Sequence, residues 1–343
     1  TTIHRLLEVE WAENNRPEFR RNLRNPLDYQ AIIVDEMSMV DIFLFSSLLD
    51  ALPFGCRLIM VGDSDQLPSV SPGNVLKDLI DTGLIPVVQL KEIFRQSLES
   101  NIVRNAHAIV NGEQIETDYK DGDFYLLQRH FPLDAVRTIK DLCVKRLPDA
   151  YGFDPTTQIQ VLCPSKKGET GTFNLNQVLQ ECINPPSQEK REHNTGYRIF
   201  REGDKVMQTK NNYNIHWESN NEEGDGIFNG DIGFIETIDM RHDAIIIDFA
   251  GKRATYSKEQ LQEIELAYAV TVHKSQGSEF DAVVMPVISV NSRLRYRNLL
   301  YTAVTRAKKM LILVGTTNCL NSMVENNKTQ LRYSALKHFM LDI

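Results

Sequence analysis

The stretch IIVDEMSMV, residues 32–40, places two carboxylates directly behind three β-branched residues. The β-branched run at 32–34 is typical of a buried strand. Asp35 and Glu36 follow at its carboxyl end, which is where α/β sheets bind their ligands. A Mg²⁺ ion on a triphosphate takes one or two carboxylates, and a hydrolase needs a base that orients the attacking water. The stretch therefore predicts a site for nucleotide hydrolysis at this edge of the sheet. The alternative is that the two acids only cap the next helix.

Strands and helices alternate along the chain on both sides of this stretch. The pattern predicts strands at 31–34, 57–61 and 158–162, and helices at 40–50, 74–81, 98–111, 132–146, 172–182 and 297–307. The apolar runs LAYAVTVH, DAVVMPVI and MLILVG continue the pattern beyond residue 266. Such alternation predicts an α/β fold in which crossover helices cover parallel sheets.

The stretch between about 185 and 265 has a different texture. Short apolar strands alternate there with Gly, Asn and Asp turns, as in GIFNGDIGFIETID. This spacing is typical of a small antiparallel β-barrel or sandwich of roughly 70 residues. Because the α/β pattern resumes behind it, we expect a β module inserted into the second α/β domain.

Composition narrows the class of protein without fixing its function. A chain of 343 residues should form two or three domains. The five scattered cysteines favour a reduced cytosolic protein, and without a long apolar run or a leader we expect no membrane segment. The net charge of −8 disfavours a protein that coats nucleic acid but permits a local basic track.

The loop after the second strand, GDSDQLPSVSPG at 62–73, brings more polar groups to the same edge. Gly62 permits a tight turn, and Asp63, Asp65 and Gln66 follow it. Gln66 could hydrogen-bond a γ-phosphate or a water and so report the state of a nucleotide. A turn-rich loop without a ligand is the alternative.

Two arginines suit phosphate chemistry. Arg95 lies in LKEIFRQS, and Arg306 lies in LLYTAVTRAKK, predicted as a helix. A guanidinium that neutralises charge on a transferred phosphoryl group accelerates the reaction by ~10³–10⁵. A surface salt bridge is the alternative for either arginine alone.

A third group of polar residues follows a predicted strand in AVTVHKSQGSEFD. It consists of His273, Ser275, Gln276, Gly277 and Glu279, although a lone histidine such as His273 is more often structural.

Several clusters of basic residues are candidates for nucleic-acid contacts. Basic grooves with aromatic platforms hold single strands of nucleic acid, and a solvated surface without a ligand is the alternative for each cluster. The candidates for such contacts are Lys166, Lys167, Lys205, Lys210, Tyr213, Arg293, Arg295 and Arg297.

In this order, these stretches resemble the motifs of superfamily 1 helicases, most closely the RecD-like group that includes the exodeoxyribonuclease V α chain. TTIHRLLE resembles motif Ia, IIVDEMSMVD motif II and GDSDQLPSVSPG motif III. LKEIFRQ, TVHKSQGSEFD and LLYTAVTRAKK resemble motifs IV, V and VI. The resemblance extends over essentially the whole chain.

The resemblance implies a role for each candidate residue. Asp35 would bind Mg²⁺ together with Glu36, and Glu36 would activate the water. Gln66, Arg95 and Arg306 would contact the γ-phosphate, while Gln276, Gly277 and Glu279 would help to bind ATP, Glu279 at the ribose. The residues implied to lie near DNA or along the coupling path are Thr2, His4, His273 and Ser275. Gln276 is implied both as an ATP contact and as a residue near DNA or the coupling path.

The resemblance also implies a fold of two RecA-like P-loop NTPase domains, the first incomplete. Domain 1 would span 1–89 with a wedge hairpin at about 12–28, and domain 2 would span 90–343 with an SH3-like insertion at 190–265. The implied activity is ATP-dependent 5′-to-3′ movement on single-stranded DNA and at duplex junctions, in recombination or repair in the bacterial cytoplasm. RecB- and RecC-like subunits, or none, would be partners. The other hypotheses are a DNA-binding scaffold derived from an ATPase and a subunit of a nuclease complex.

One departure from the family pattern concerns the phosphate cradle. The chain contains no G-x-x-x-x-G-K-[ST] segment, whose backbone amides and lysine hold the β- and γ-phosphates. We therefore expect the chain to be the C-terminal portion of a larger helicase and to be inactive in ATP hydrolysis alone.

Overall fold

The computed structural model describes residues 1–11, 17–90, 100–117, 122–220, 222–239, 241, 244–327 and 334–342. It divides into two compact units. Unit 1 comprises Thr1–Phe94 and Lys328–Ile343, and unit 2 comprises Arg95–Asn327. The predicted domain limits of 1–89 and 90–343 remain predictions.

The secondary structure of the described residues has the following bounds. The α-helices are α1 Ile3–Leu6, α2 Ile42–Ala51, α3 Val75–Thr82, α4 Asn101–Asn111, α5 Pro132–Asp141, α6 Leu147–Tyr151, α7 Thr172–Ile183, α8 Arg297–Val304, α9 Thr317–Glu325 and α10 Leu336–Leu341. The strands are β1 Val9–Trp11, β2 Pro17–Phe19, β3 Ala31–Val34, β4 Arg57–Met60, β5 Phe124–Gln128, β6 Ile159–Cys163, β7 Glu192–Asn194, β8 Ile199–Arg201, β9 Lys205–Gln208, β10 Asn212–Glu218, β11 Glu223–Ile227, β12 Ile232–Asp239, β13 Ala244–Phe249, β14 Lys252–Ser257, β15 Ile264–Leu266, β16 Ala269–Thr271, β17 Phe280–Val287 and β18 Ala307–Gly315.

Unit 1 is built on the parallel pair β3 and β4, with Ile32 opposite Leu58. Ile32 and Val34 are buried while the alternate residues of β3 are exposed, as the two-residue period of a strand requires. Helix α2 begins where the Asp41 carboxylate accepts hydrogen bonds from the backbone N–H groups of residues 43 and 44. The buried faces of α2 and α3 pack into the same hydrophobic cluster as β3.

The segment at about 12–28, for which a wedge hairpin is implied and a hairpin or loop expected, is described only from residue 17. Strand β2 pairs antiparallel with β1, and Phe19 lies opposite Val9. The Arg21 guanidinium bonds the Glu8 carboxylate at 2.8 Å, which fixes the end of this pair. The role of the segment as a wedge stays a prediction.

Unit 2 contains a five-stranded parallel sheet with the strand order β16-β6-β17-β18-β5. All residues of β6 are buried, which is typical of a parallel sheet covered on both faces. The predicted α/β class with parallel sheets is therefore confirmed. Helix α8 ends at Val304, so the prediction that the helix continues to 307 and carries Arg306 is wrong.

The antiparallel part of unit 2 is a seven-stranded sheet with the order β11-β10-β14-β13-β12-β9-β15. Its apolar residues share one hydrophobic cluster with the parallel sheet. The fully buried Asp204 carboxylate accepts hydrogen bonds from Gln180 on α7, from Asn184 and from the Tyr268 hydroxyl. Asp204 belongs to the β module, whereas Gln180 and Asn184 lie on α7 and at its C-terminal end, so these bonds join the β module to the α/β part of the unit.

Among the described residues, no helix is long and apolar enough to cross a membrane.

Candidate nucleotide and nucleic-acid sites

The two acids lie at the carboxyl end of β3, where the chain turns sharply. Glu36 adopts a left-handed conformation (φ 54°, ψ 39°), and its backbone N–H donates to the Asp35 carboxylate at 2.8 Å. A left-handed non-glycine residue costs energy and is found preferentially at functional sites. Asp35 is exposed and Glu36 is half-buried, so both carboxylates remain accessible.

The loop after β4 packs directly against this turn. The Met37 N–H donates to the Val61 carbonyl at 2.9 Å, and the Val61 N–H donates to the Val34 carbonyl at 2.8 Å. A Cβ atom at Gly62 would lie 2.9 Å from the Met37 nitrogen, so only glycine fits there. These hydrogen bonds and the close approach at Gly62 place the end of β4 beside the acid pair.

Gln66 belongs to the same loop. Its side-chain amide donates to the Asp63 carboxylate at 3.3 Å, and that carboxylate also accepts from the Asp65 N–H at 2.9 Å. Asp63 thus orders the loop that positions Gln66. The structure therefore places Gln66 and the two acids in one unit, in the segments that follow two neighbouring strands.

Thr2 and His4 lie at the start of unit 1. The Thr2 hydroxyl caps α1 by accepting from the Arg5 N–H at 3.3 Å. The His4 ring lies 5.9 Å from the Phe19 ring, and burial lowers the pKa of His4, with Asp41 opposing this effect. Both residues have structural contacts, and their part in DNA binding stays a prediction.

In unit 2, the residues predicted around the third polar edge come together with Arg306. Strand β16 leads into a short helical turn at Val272–Ser275, and Gly277 turns the chain with φ 75°. The Arg306 guanidinium donates to the Ser278 carbonyl at 3.1 Å, while the Phe280 N–H donates to the Arg306 carbonyl at 2.8 Å. Arg306 is therefore held against the segment that carries Gln276, Gly277 and Glu279.

Arg306 is a buried cation with uncharged acceptors. Its side chain also donates to the Thr305 hydroxyl at 3.2 Å, and the residue is 5% exposed. Within the described ranges, its Nε atom is buried and makes no hydrogen bond. A buried guanidinium that keeps an unused donor is suited to bind an anion.

Other members of this set take different positions. Glu279 is exposed and pairs with Lys308 at 3.1 Å. Ser275 is fully buried and its hydroxyl donates to the Val272 carbonyl at 2.9 Å, so its place near DNA or along the coupling path stays a prediction. Arg95 lies outside the described residues.

A cluster of three cations surrounds one carboxylate in unit 2. Lys166, Lys274 and Arg198 each reach the Glu265 carboxylate, at 3.2, 3.1 and 3.3 Å. Burial would raise the pKa of Glu265, but the charges of Lys274 and Lys166 lower it below its ordinary value. We call these four residues the cation cluster; it retains two positive charges in excess. Sequence reasoning proposed Lys166 but not Arg198 or Glu265, because no local pattern joins residues so far apart in the chain.

Lys205 does not belong to a surface track, and its prediction as a DNA contact needs correction. It is 2% exposed, with its ammonium 3.5 Å from the Ile159 carbonyl and 5.9 Å from the centre of the Phe280 ring. Its position in β9, which pairs on both sides, directs the side chain into the shared core.

We expect replacement of Lys205 with methionine to stabilise the protein at pH 7 by about 3 kcal/mol, because the cost of burying the charged ammonium is removed. Burial lowers the pKa of Lys205 to about 8 from 10.5. Between these two pH values the unfolded chain binds a proton that the folded chain does not, so stability rises with pH by about 3 kcal/mol in total. Urea denaturation from pH 7 to 10.5 would show this rise in the parent and its loss in Lys205→Met. Lys210→Met, at an exposed lysine, serves as the control, and an equal pH dependence in parent and Lys205→Met would contradict the explanation.

Of the remaining predicted DNA contacts, some are exposed and others are held by hydrogen bonds within unit 2. Lys167 and Lys210 are exposed, and Tyr213 packs edge-on against Phe228. Arg295 donates to the Val290 carbonyl, and Arg297 donates to the carbonyls of residues 110 and 324. The last two arginines therefore tie segments of unit 2 together, while Arg293, Lys167, Lys210, Tyr213 and the half-buried His273 remain predicted DNA contacts.

The described residues contain no group of three or more His, Cys, Asp and Glu side chains that could hold a metal ion. Mg²⁺ on a nucleotide needs only one or two carboxylates, since it keeps several waters. The accessible Asp35 and Glu36 side chains fit that requirement.

Three family models match successive parts of the chain. An AAA domain matches residues 1–125, the SH3 domain of ATP-dependent RecD-like DNA helicases matches 175–249, and the C-terminal domain of UvrD-like helicases matches 266–314. The SH3 match overlaps the antiparallel sheet, in agreement with the predicted SH3-like insertion.

Curated relatives align along most of the chain. An ATP-dependent RecD2 DNA helicase from Deinococcus radiodurans is 34% identical over 324 residues, which cover 93% of this chain and 40% of the relative. The RecBCD enzyme subunit RecD from Mycolicibacterium smegmatis is 29% identical and covers 95% of this chain and 56% of the relative. The chain thus spans about half the length of these relatives.

A solved structure shows the same fold. The Pif1 helicase from Bacteroides in complex with ADP-AlF3 and ssDNA superposes with a TM-score of 0.53 at 17% identity. The match covers 99% of this chain and 82% of the Pif1 chain.

Proposed function

We propose, from the premise that this chain belongs to the RecD-like group of superfamily 1 helicases, that the whole protein is an ATP-dependent DNA helicase. The observation that carries the proposal is the acid pair at the end of β3. Glu36 is held in a strained left-handed turn there, next to a loop that only Gly62 allows to approach. Strain kept at a ligand-binding sheet edge favours a catalytic role for this turn.

The proposed reaction is hydrolysis of the ATP γ-phosphate. Asp35 and Glu36 would hold Mg²⁺, which neutralises charge on the phosphates when bound. Glu36 accepts a proton from the attacking water and orients it. Gln66 contacts the γ-phosphate, and Arg306 supplies a guanidinium for the charge that develops on it. Arg95, Gln276, Gly277 and Glu279 complete the proposed nucleotide contacts.

The proposed nucleic acid is single-stranded DNA next to a duplex junction, which the wedge at 12–28 would split. The cation cluster supports this proposal, because its two excess positive charges attract a phosphate backbone. We propose movement in the 5′-to-3′ direction, in recombination or repair in the bacterial cytoplasm. RecB- and RecC-like partners are proposed because one relative is a subunit of a RecBCD enzyme.

An unwinding assay with the whole protein tests this proposal. Three duplexes would be compared, with a 5′ single-stranded tail, with a 3′ tail and with blunt ends. The expected result is ATP-dependent strand separation of the 5′-tailed duplex alone. Separation of the 3′-tailed duplex alone would reject the direction, and no separation with ATP of any of the three would reject the activity.

A further inference from the structure

A cavity of about 360 Å³ opens in unit 2 between α7 and the β7–β8 hairpin. This volume lies within the ~300–1,000 Å³ typical of small-molecule sites. Helix α7 contributes Phe173 and Gln177, the hairpin contributes Tyr197 and Ile199, and Leu266 lines the cavity from β15. The two aromatic residues belong to different elements, so the cavity depends on how the β module sits on the parallel sheet.

Both aromatic side chains are unusually open to solvent. Tyr197 is 94% exposed and Phe173 is 47% exposed. Tyr197 lies at the tip of the hairpin, where Gly196 has φ 85° and its N–H donates to the Asn194 side chain at 2.8 Å. Exposed apolar groups that cluster beside a cavity are typical of a ligand-binding surface.

The wall of the cavity is fixed before any ligand binds. The Asn176 side chain donates to the carbonyls of residues 266 and 269 at 3.0 and 2.8 Å and accepts from the Ala269 N–H at 2.8 Å. The Gln180 amide donates to the Ile199 carbonyl at 2.9 Å, which joins the hairpin to α7. A site held in this way loses little conformational entropy on binding.

The cation cluster lies at the edge of the same cavity. Arg198 and Glu265 line it directly, and the Lys166 ammonium lies 5.9 Å from the centre of the Phe173 ring. Lys166 is held over the start of α7, because its carbonyl accepts from the Phe173 N–H at 3.1 Å. A Cβ atom at Gly171 would lie 2.6 Å from that carbonyl, so glycine permits this close approach.

We propose that this cavity is a nucleotide subsite for single-stranded nucleic acid, in which a base packs on Phe173 and Tyr197 and its phosphate lies on the cation cluster. A nucleotide joins a flat π-surface to an anion in one unit, and the cavity joins exposed aromatic groups to excess positive charge in the same way. This inference rests on the proposed function. It places one contact with the single-stranded nucleic acid at the junction of the β module and the parallel sheet.

The test is binding of fluorescent single strands of about ten nucleotides, measured by anisotropy. An oligo(dT) strand is compared with a strand of equal length that carries abasic sites, and an oligo(rU) strand distinguishes DNA from RNA. Tyr197→Ala is expected to weaken oligo(dT) binding at least about fivefold and to leave abasic binding unchanged, because stacking requires a base. Tyr197→Phe is expected to retain the parent affinity, since the ring is kept.

Phe131→Ala is the matched control, because Phe131 is also a largely exposed aromatic residue of unit 2 but does not line the cavity. Its affinity for oligo(dT) should equal that of the parent. An unchanged oligo(dT) affinity in Tyr197→Ala, or an equal loss with both DNA strands, would overturn the subsite while the proposed function stands. Failure of the parent to bind any strand would overturn both.

Discussion

Replacement of Glu36 with glutamine is expected to lower the rate of ATP hydrolysis by the whole protein about 10²–10⁴-fold. The amide keeps the size and shape of the side chain but cannot accept the proton of the attacking water. Because Asp35 and the turn remain in place, ATP binding should change little. The measurement is the steady-state turnover of ATP in the presence of single-stranded DNA, together with the affinity for a fluorescent nucleotide.

The matched control is Asp50→Asn, which removes one carboxylate from an exposed position on α2 of the same unit. This variant should hydrolyse ATP at the parent rate. If Glu36→Gln retained more than about a tenth of the parent rate, Glu36 would not be the group that activates the water.

Replacement of Arg306 with alanine is expected to reduce ATP turnover by about 10³-fold or more. The guanidinium is buried beside the 272–279 segment, and its Nε is left without an acceptor among the described residues. A developing charge on the γ-phosphate would provide that acceptor. Arg306→Lys should also be slow, since an ammonium cannot form the paired bonds of a guanidinium.

Loss of Arg306 also removes two internal hydrogen bonds, so a matched control is needed. Arg129 likewise donates to a threonine hydroxyl and to a backbone carbonyl in unit 2. Arg129→Ala removes a similar pair of bonds from a half-buried position, and its turnover per folded molecule should stay near that of the parent; urea denaturation gives the folded fraction of both variants. Equal turnover in the two variants would assign Arg306 a structural role only.

Much of the fold could be predicted because its signals are local. A β-branched run before two acids indicates a strand that ends at a ligand edge, and Asp41 marks the start of α2 by its capping carboxylate. The boundary at Val304 was missed because the apolar pattern of α8 runs directly into β18. The short strand β5 was also missed, since FYLLQ shows no clear alternation of apolar and polar residues.

The site was predicted less completely because its members come together only through the tertiary fold. The sequence indicates a surface cation at Lys205, but strand β9 is paired on both sides in the β module and the side chain is buried. Tyr197 and Phe173 carry no motif, and they line one cavity only because Gln180 and Asp204 fix the hairpin on α7. Periodicity identifies the buried face of a strand, but it does not show which strands are paired on both sides.

The most direct test of the central claim is the rate of ATP hydrolysis by the whole protein with and without single-stranded DNA. If ATP hydrolysis at the acid pair is coupled to movement on single-stranded DNA, the rate should rise at least about tenfold when oligo(dT) is present. Glu36→Gln should abolish hydrolysis both with and without DNA. Hydrolysis that ignores DNA, or that persists in Glu36→Gln, would contradict the account.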